Sequence, residues 1–135
     1  MDSKGKYSLQ EARKLYKKGD LRGAIKQYRG VLDAVPGYAD ECLFHIGVIY
    51  SSPRYPERDF ARSLEAFQRV VREHPGSSYR PESERASRLI REIVRRERKI
   101  KDLRNKNILL ENKIEQIKDI DLDIVEKRKK LLQEQ

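Results

Sequence analysis

The chain has 135 residues, of which 37% are hydrophobic and 39% charged, with a net charge of +9. That length carries one modest domain plus an extension, not two large domains. So polar a composition excludes a compact α/β enzyme, whose buried strands need continuous Val/Ile runs. Abundant Arg, Lys, Glu, Leu and Ile with few aromatics predict an all-α protein whose helices are mostly exposed.

In chain order, the first helical pattern is "YSLQEARKLYKKG", with Leu9, Ala12, Leu15 and Tyr16 on one side and Gly19 as a stop. Next comes "GDLRGAIKQYRGVLDAVPG" (19–37), with Leu21, Ile25, Tyr28 and Val31 at offsets of three and four. "YADECLFHIGVIYSS" supplies a third helix, carrying Cys42, Leu43, Ile46, Gly47, Ile49 and Tyr50. "RDFARSLEAFQRVVREHPG" (58–76) supplies a fourth and repeats the second: Asp59 stands for Asp20, Phe60 for Leu21, Leu64 for Ile25, Phe67 for Tyr28 and Val70 for Val31. Asp20 and Asp59 suit N-caps, because a carboxylate there accepts a free backbone N–H. Pro36-Gly37 and Pro75-Gly76 end the second and fourth helices. Small residues at 12 and 47 let paired helices approach closely, with Tyr28 or Phe67 filling the space between them.

These residues resemble the tetratricopeptide repeat family. Ala12, Ala24, Tyr28 and Pro36 stand at the spacing of that motif's alanine, alanine, aromatic and proline, and Gly47, Tyr50, Phe67 and Pro75 repeat it. The resemblance covers residues 5 to 76. It departs at an insertion, "PRYPE" (53–57), which lengthens the proline-to-proline period to 39, and at Ser63 in place of the second alanine. The "P-G-Y-A-D-E" element and the longer repeat are most similar to the bacterial subclass found in cell-envelope lipoproteins, including BamD-like proteins of outer-membrane assembly. The resemblance implies a scaffold that binds a peptide or partner helix and performs no chemistry itself. It also implies a concave surface lined by Tyr7, Arg13, Tyr16, Glu41, Phe44 and Val48. These residues do not match the Asn/Lys set with which such repeats clamp a terminal carboxylate, so the resemblance leaves the peptide open. Two repeats are fewer than the three or so that usually stand alone. The start of the next helix, "PESERASRLIREIV", is expected to cap them through Ala86, Leu89, Ile90 and Ile93.

From Glu82 to Gln135 there is no Pro or Gly. Pro81 fits the first position of a helix, and Glu82 and Glu84 suit its positive end. A heptad with Ile93, Ile100, Asn107, Ile114, Asp121 and Arg128 at a places Arg96, Leu103, Leu110, Ile117, Ile124 and Leu131 at d. The seam Ile100, Leu103, Asn107, Leu110, Ile114, Ile117 predicts a coiled coil. β-branched residues at a with Leu at d favour two parallel strands. Asn107 then specifies register and chain number by pairing with its counterpart across the axis, where a mismatched register would leave its amide against hydrocarbon at about 1–3 kcal/mol; the alternative is a solvated Asn on a half-exposed helix. The flanking pairs are mixed: Lys106 attracts Glu111, whereas Lys99 faces Arg104 and Lys113 faces Lys118. A homodimer is expected, with room for a more acidic partner helix. Strict alternation in "IDLDI" (120–124) predicts a break near 119–123. The segment past Ile117, "KDIDLDIVEKRKKLLQEQ", is similar to the tails of bacterial envelope lipoproteins that work beside sensor histidine kinases, where a coiled coil runs into a "KDIDL" element.

The expected organisation is therefore a repeat module over 1–80 and a long helix with coiled coil over 81–135. Nothing in the sequence resembles a catalytic constellation. Cys42 and His45 lack further ligands for a metal and read as packing residues, so neither an enzyme nor a cofactor is expected. No stretch approaches the ~20 apolar residues of a membrane span. The compartment is the periplasm or envelope if an export signal preceded "MDSKGK", and otherwise the cytoplasm. The rival reading is a nucleic-acid binder. Between Arg85 and Lys106 ten Lys/Arg face three acids, and a basic helix running into a zipper is how basic-zipper proteins grip the major groove. Leu89, Ile90, Ile93 and Val94 interrupt that basic face.

Overall fold

The structure, a computed structural model, describes residues 6–134. These are all-α: α1 (Leu9–Lys18), α2 (Leu21–Ala34), a single 3-10 turn (Pro36–Tyr38), α3 (Ala39–Ser51), α4 (Phe60–Glu73) and α5 (Arg80–Gln133). Local chemistry fixes the ends. Ser8 accepts from the Glu11 amide at 3.3 Å, Asp20 from Gly23 at 3.0 Å and Asp59 from Arg62 at 3.0 Å, each satisfying a first-turn donor. α1 stops at Gly19, whose φ of 83° lies in the left-handed region.

α1 packs on α2, α2 on α3 and α3 on α4, so the two sequence pairs form two consecutive helical hairpins. Their core is the apolar face read from the periodicity: Ala12, Ala24, Tyr28, Val31, Cys42, Ile49, Phe67 and Val70 are all buried. Gly47 is needed for a close approach, since a Cβ there would stand 2.8 Å from the Phe67 ring. Burying that ring contributes about 2–3 kcal/mol by area. Both departures from the repeat pattern have local reasons. Ser63 donates its buried hydroxyl to the Gly47 carbonyl at 2.6 Å, an acceptor that an alanine would leave without this partner. The insertion folds inward, with Tyr55 buried edge-on against Tyr50 at 5.8 Å between centroids.

The chain divides into two units, one ending at Val94 and the other running from Arg95. The first therefore takes in the opening turns of α5 and does not end near residue 80. The face these turns bury agrees with expectation at Ile90, which is buried, and departs from it elsewhere: Leu89 is 66% exposed and Ile93 40%, while Ser83 and Ser87 are buried. The buried positions at 83, 87 and 90 form one stripe at spacings of four and three; Leu89 lies off it.

In the second unit every described residue is exposed. Residues 119–123, where alternation predicts a break, are helical. An Asp inside a helix costs only a fraction of a kcal/mol. Asp123 also supports its own turn by pairing with Lys127 at 3.5 Å, one turn on. Among the described residues no helix is long and apolar enough to cross a membrane.

Candidate interaction surfaces

On the first unit, α1 and α3 present side chains to each other around one carboxylate. Arg13 holds Glu41 through two hydrogen bonds, Nε to Oε1 at 3.0 Å and a terminal nitrogen to Oε2 at 2.8 Å. The Glu41 side chain is only 11% exposed and Arg13 51%, so the fork sits at the lip of the packed face. This hydrogen bond raises the Arg13 pKa further, keeping the guanidinium charged. Tyr79 donates to Glu41 Oε1 at 3.4 Å. Burial first, then the Glu41 charge, push its phenol pKa upward.

One turn along α3, His45 places Nδ1 at 2.9 Å from the Glu41 carbonyl, which can only accept, so Nδ1 carries the proton. Its ring stacks on Tyr28 at 4.9 Å and 7° and meets the edge of Tyr16 at 5.2 Å. Phe44 stacks on Tyr79 at 4.8 Å. The segment before α5 is tied to the start of α3 as well, with Ser77 Oγ donating to Asp40 Oδ2 at 2.6 Å. Arg13, Tyr16, Glu41 and Phe44 thus come together as one surface, joined by His45 and Tyr79.

The other two residues expected there stand elsewhere. Val48 lines a neighbouring groove of about 500 Å³ with Tyr16, Lys17, Lys18 and Pro53. Tyr7 lies on α2, its ring filling the space that a Cβ at Gly30 would take. It belongs to the packing of the first hairpin, not to the Arg13–Glu41 face. Sequence reasoning passed over Tyr79. The signal for it was there: Pro75-Gly76 is followed by a tyrosine and a helix, as Pro36-Gly37 is by Tyr38 and α3.

Cys42 is enclosed beneath this face, and burial first, then the nearby Glu41 and Asp40, push its thiol from 9.0 up to about 12. A thiol so placed stays protonated and unreactive near neutrality. Among the described residues no group of three His, Cys, Asp or Glu is arranged to hold a metal ion.

On the second unit, the seam residues Ile100, Leu103, Leu110, Ile114 and Ile117 are 47–63% exposed, and Asn107 is exposed between them. The heptad assigns Lys99, Lys106, Lys113 and Lys127 to g, leaving one flank of the seam nearly uniformly basic. Within the helix, Glu115–Lys118 at 3.7 Å and Asp123–Lys127 at 3.5 Å are exposed pairs worth tenths of a kcal/mol.

No family model, curated protein or solved structure matches the chain.

Proposed function

We propose that the protein is a non-enzymatic protein–protein interaction scaffold. The first unit, read as two tetratricopeptide-type hairpins, holds a partner on the Arg13–Glu41–Phe44 face. The seam of α5 pairs with the same helix of a second copy as a parallel two-stranded coiled coil. The observation that carries this reading is the exposure of the whole seam from Ile100 to Ile117 on a helix that its own chain does not cover. Five large apolar side chains, at three-four spacing except where Asn107 stands between Leu103 and Leu110, lose that exposure when a second helix packs on them, at about 0.8 kcal/mol per buried methylene. Asn107 supports two parallel strands, since only there do the two amides meet. The likeness to envelope lipoproteins supports a place in a bacterial envelope complex or beside a sensor kinase, and rests on residues 5–76 and on "KDIDL".

The test is the solution mass by light scattering of the whole chain and of Ile114→Lys. A wild-type mass twice 16.0 kDa that falls to the single-chain value in the variant supports self-association. Single-chain mass for both would turn the reading toward a different helical partner.

A further inference from the structure

The groove between α4 and the first turns of α5 lies entirely within the first unit, apart from the Arg13–Glu41 face. α4 contributes Gln68, Val71 and Arg72, and α5 contributes Glu84, Ser87, Arg88 and Arg91, around about 490 Å³. On α5 these stand at i, i+3, i+4 and i+7, and on α4 at i, i+3 and i+4, so each set is one helical face. Three arginines, Arg72, Arg88 and Arg91, line this space, and none of them is paired within the described residues. The one carboxylate there, Glu84, is held by Arg80 at 3.0 Å and neutralises none of the three. Ser87 is buried, with a hydroxyl that has no partner. Gathering unpaired cations beside one another is unfavourable until an anion arrives, and this groove gathers three.

We propose that this groove docks an acidic, carboxylate-bearing segment of a partner protein. An Arg fork matches a carboxylate in a bidentate way, and three forks suit a segment with acids one turn apart. Val71 gives the lining an apolar residue that a peptide side chain covers and a sugar–phosphate backbone does not. A nucleic acid needs the basic track to continue along the helix. The next basic residues, Arg95 and Arg96, already interact within the chain. This docking stands whether or not the tail pairs with itself, because the mass measurement reads the seam and the titration below reads the groove.

The experiment is a fluorescence-anisotropy titration of the full chain with a labelled octapeptide, Glu-Glu-Leu-Glu-Glu-Leu-Glu-Glu, and in parallel with a labelled oligo-dT. Three proteins are compared: wild type, Arg88→Glu with Arg91→Glu, and Lys17→Glu with Lys18→Glu, which carries the same net charge. The acidic peptide is expected to bind wild type and the lysine variant alike and to lose at least tenfold in affinity for the arginine variant. Absence of binding, or an equal loss in both variants, overturns the proposal. Oligo-dT binding more tightly than the peptide and failing only with the arginine variant overturns it in favour of nucleic acid. If the arginine pair melts early by circular dichroism, Arg72→Gln is read instead. A threefold or greater loss of peptide affinity supports the site, and none contradicts it.

Discussion

α5 is one helix with two environments. Up to Val94 it buries Ser83, Ser87 and Ile90 in the first unit; from Arg95 on, every described residue is exposed. The local physics of the two stretches is the same, since neither contains Gly and both are rich in good helix formers. What differs is what the apolar positions meet. Before Val94 the stripe holds two small serines and one isoleucine and fits against its own chain. After it the stripe holds large Ile and Leu residues at heptad spacing, and every described residue is exposed. Helix formation and helix burial are thus separate problems, and a sequence can solve the first along its length while leaving the second to another chain.

The sharpest way to test this division is to damage each side in turn. Phe67→Ala, which empties the space beside Gly47, should cost about 3–5 kcal/mol in a urea titration of the whole chain. A cost below 1 kcal/mol would mean that the first unit is not held by this core. A smaller contrast lies within α5 itself. Ile90→Ala should destabilise by about 2–3 kcal/mol, while Leu89→Ala, one residue earlier, should stay within about 0.5 kcal/mol. Equal effects at both positions would contradict the observed face.

A further effect is one of pH. Cys42 is raised from 9.0 to about 12 and Tyr28 is raised as well, both chiefly by burial. Each is neutral when protonated, so the folded state binds its proton more tightly than the unfolded state does. The resulting stability is complete below about pH 9 and is lost as the pH rises toward 12. The urea midpoint should fall between pH 8 and pH 11, and Cys42→Ala should flatten that fall. An unchanged slope in the variant would remove the thiol from the account.

Much of the fold was legible because its signals are local. Asp20 and Asp59 cap, Gly19 stops, Pro36 and Pro75 follow helix ends, and the apolar face with Tyr28 and Phe67 is the core. Where the reading failed, the deciding contact lay elsewhere in the chain. Leu89 and Ile93 look like capping residues by hydrophobicity, but the stripe that α5 buries runs through the smaller Ser83 and Ser87 to Ile90. Alternation at 120–124 predicts a break by period alone, a local signal that takes no account of the i,i+4 pairing of Asp123 with Lys127. Of the candidate surface, Arg13, Tyr16, Glu41 and Phe44 are named by the resemblance to repeat proteins, not by composition or spacing, and these four side chains stand together. Tyr7 does not stand with them, because the vacancy at Gly30 draws it onto α2, which is a tertiary fact. His45 and Tyr79 joined that surface through ring stacking, which spacing alone does not reveal.

The central claim is that Asn107 meets Asn107 of a second copy across a parallel axis. Asn107→Cys in a Cys42→Ala background, oxidised and run on a denaturing gel without reductant, tests it directly. In-register parallel helices bring these two positions within the ~4.4–6.8 Å Cα separation a disulfide needs. The account predicts near-complete cross-linking to twice 16.0 kDa, with little for Asn112→Cys on the opposite side of the helix. Equal or absent cross-linking at the two positions would contradict it.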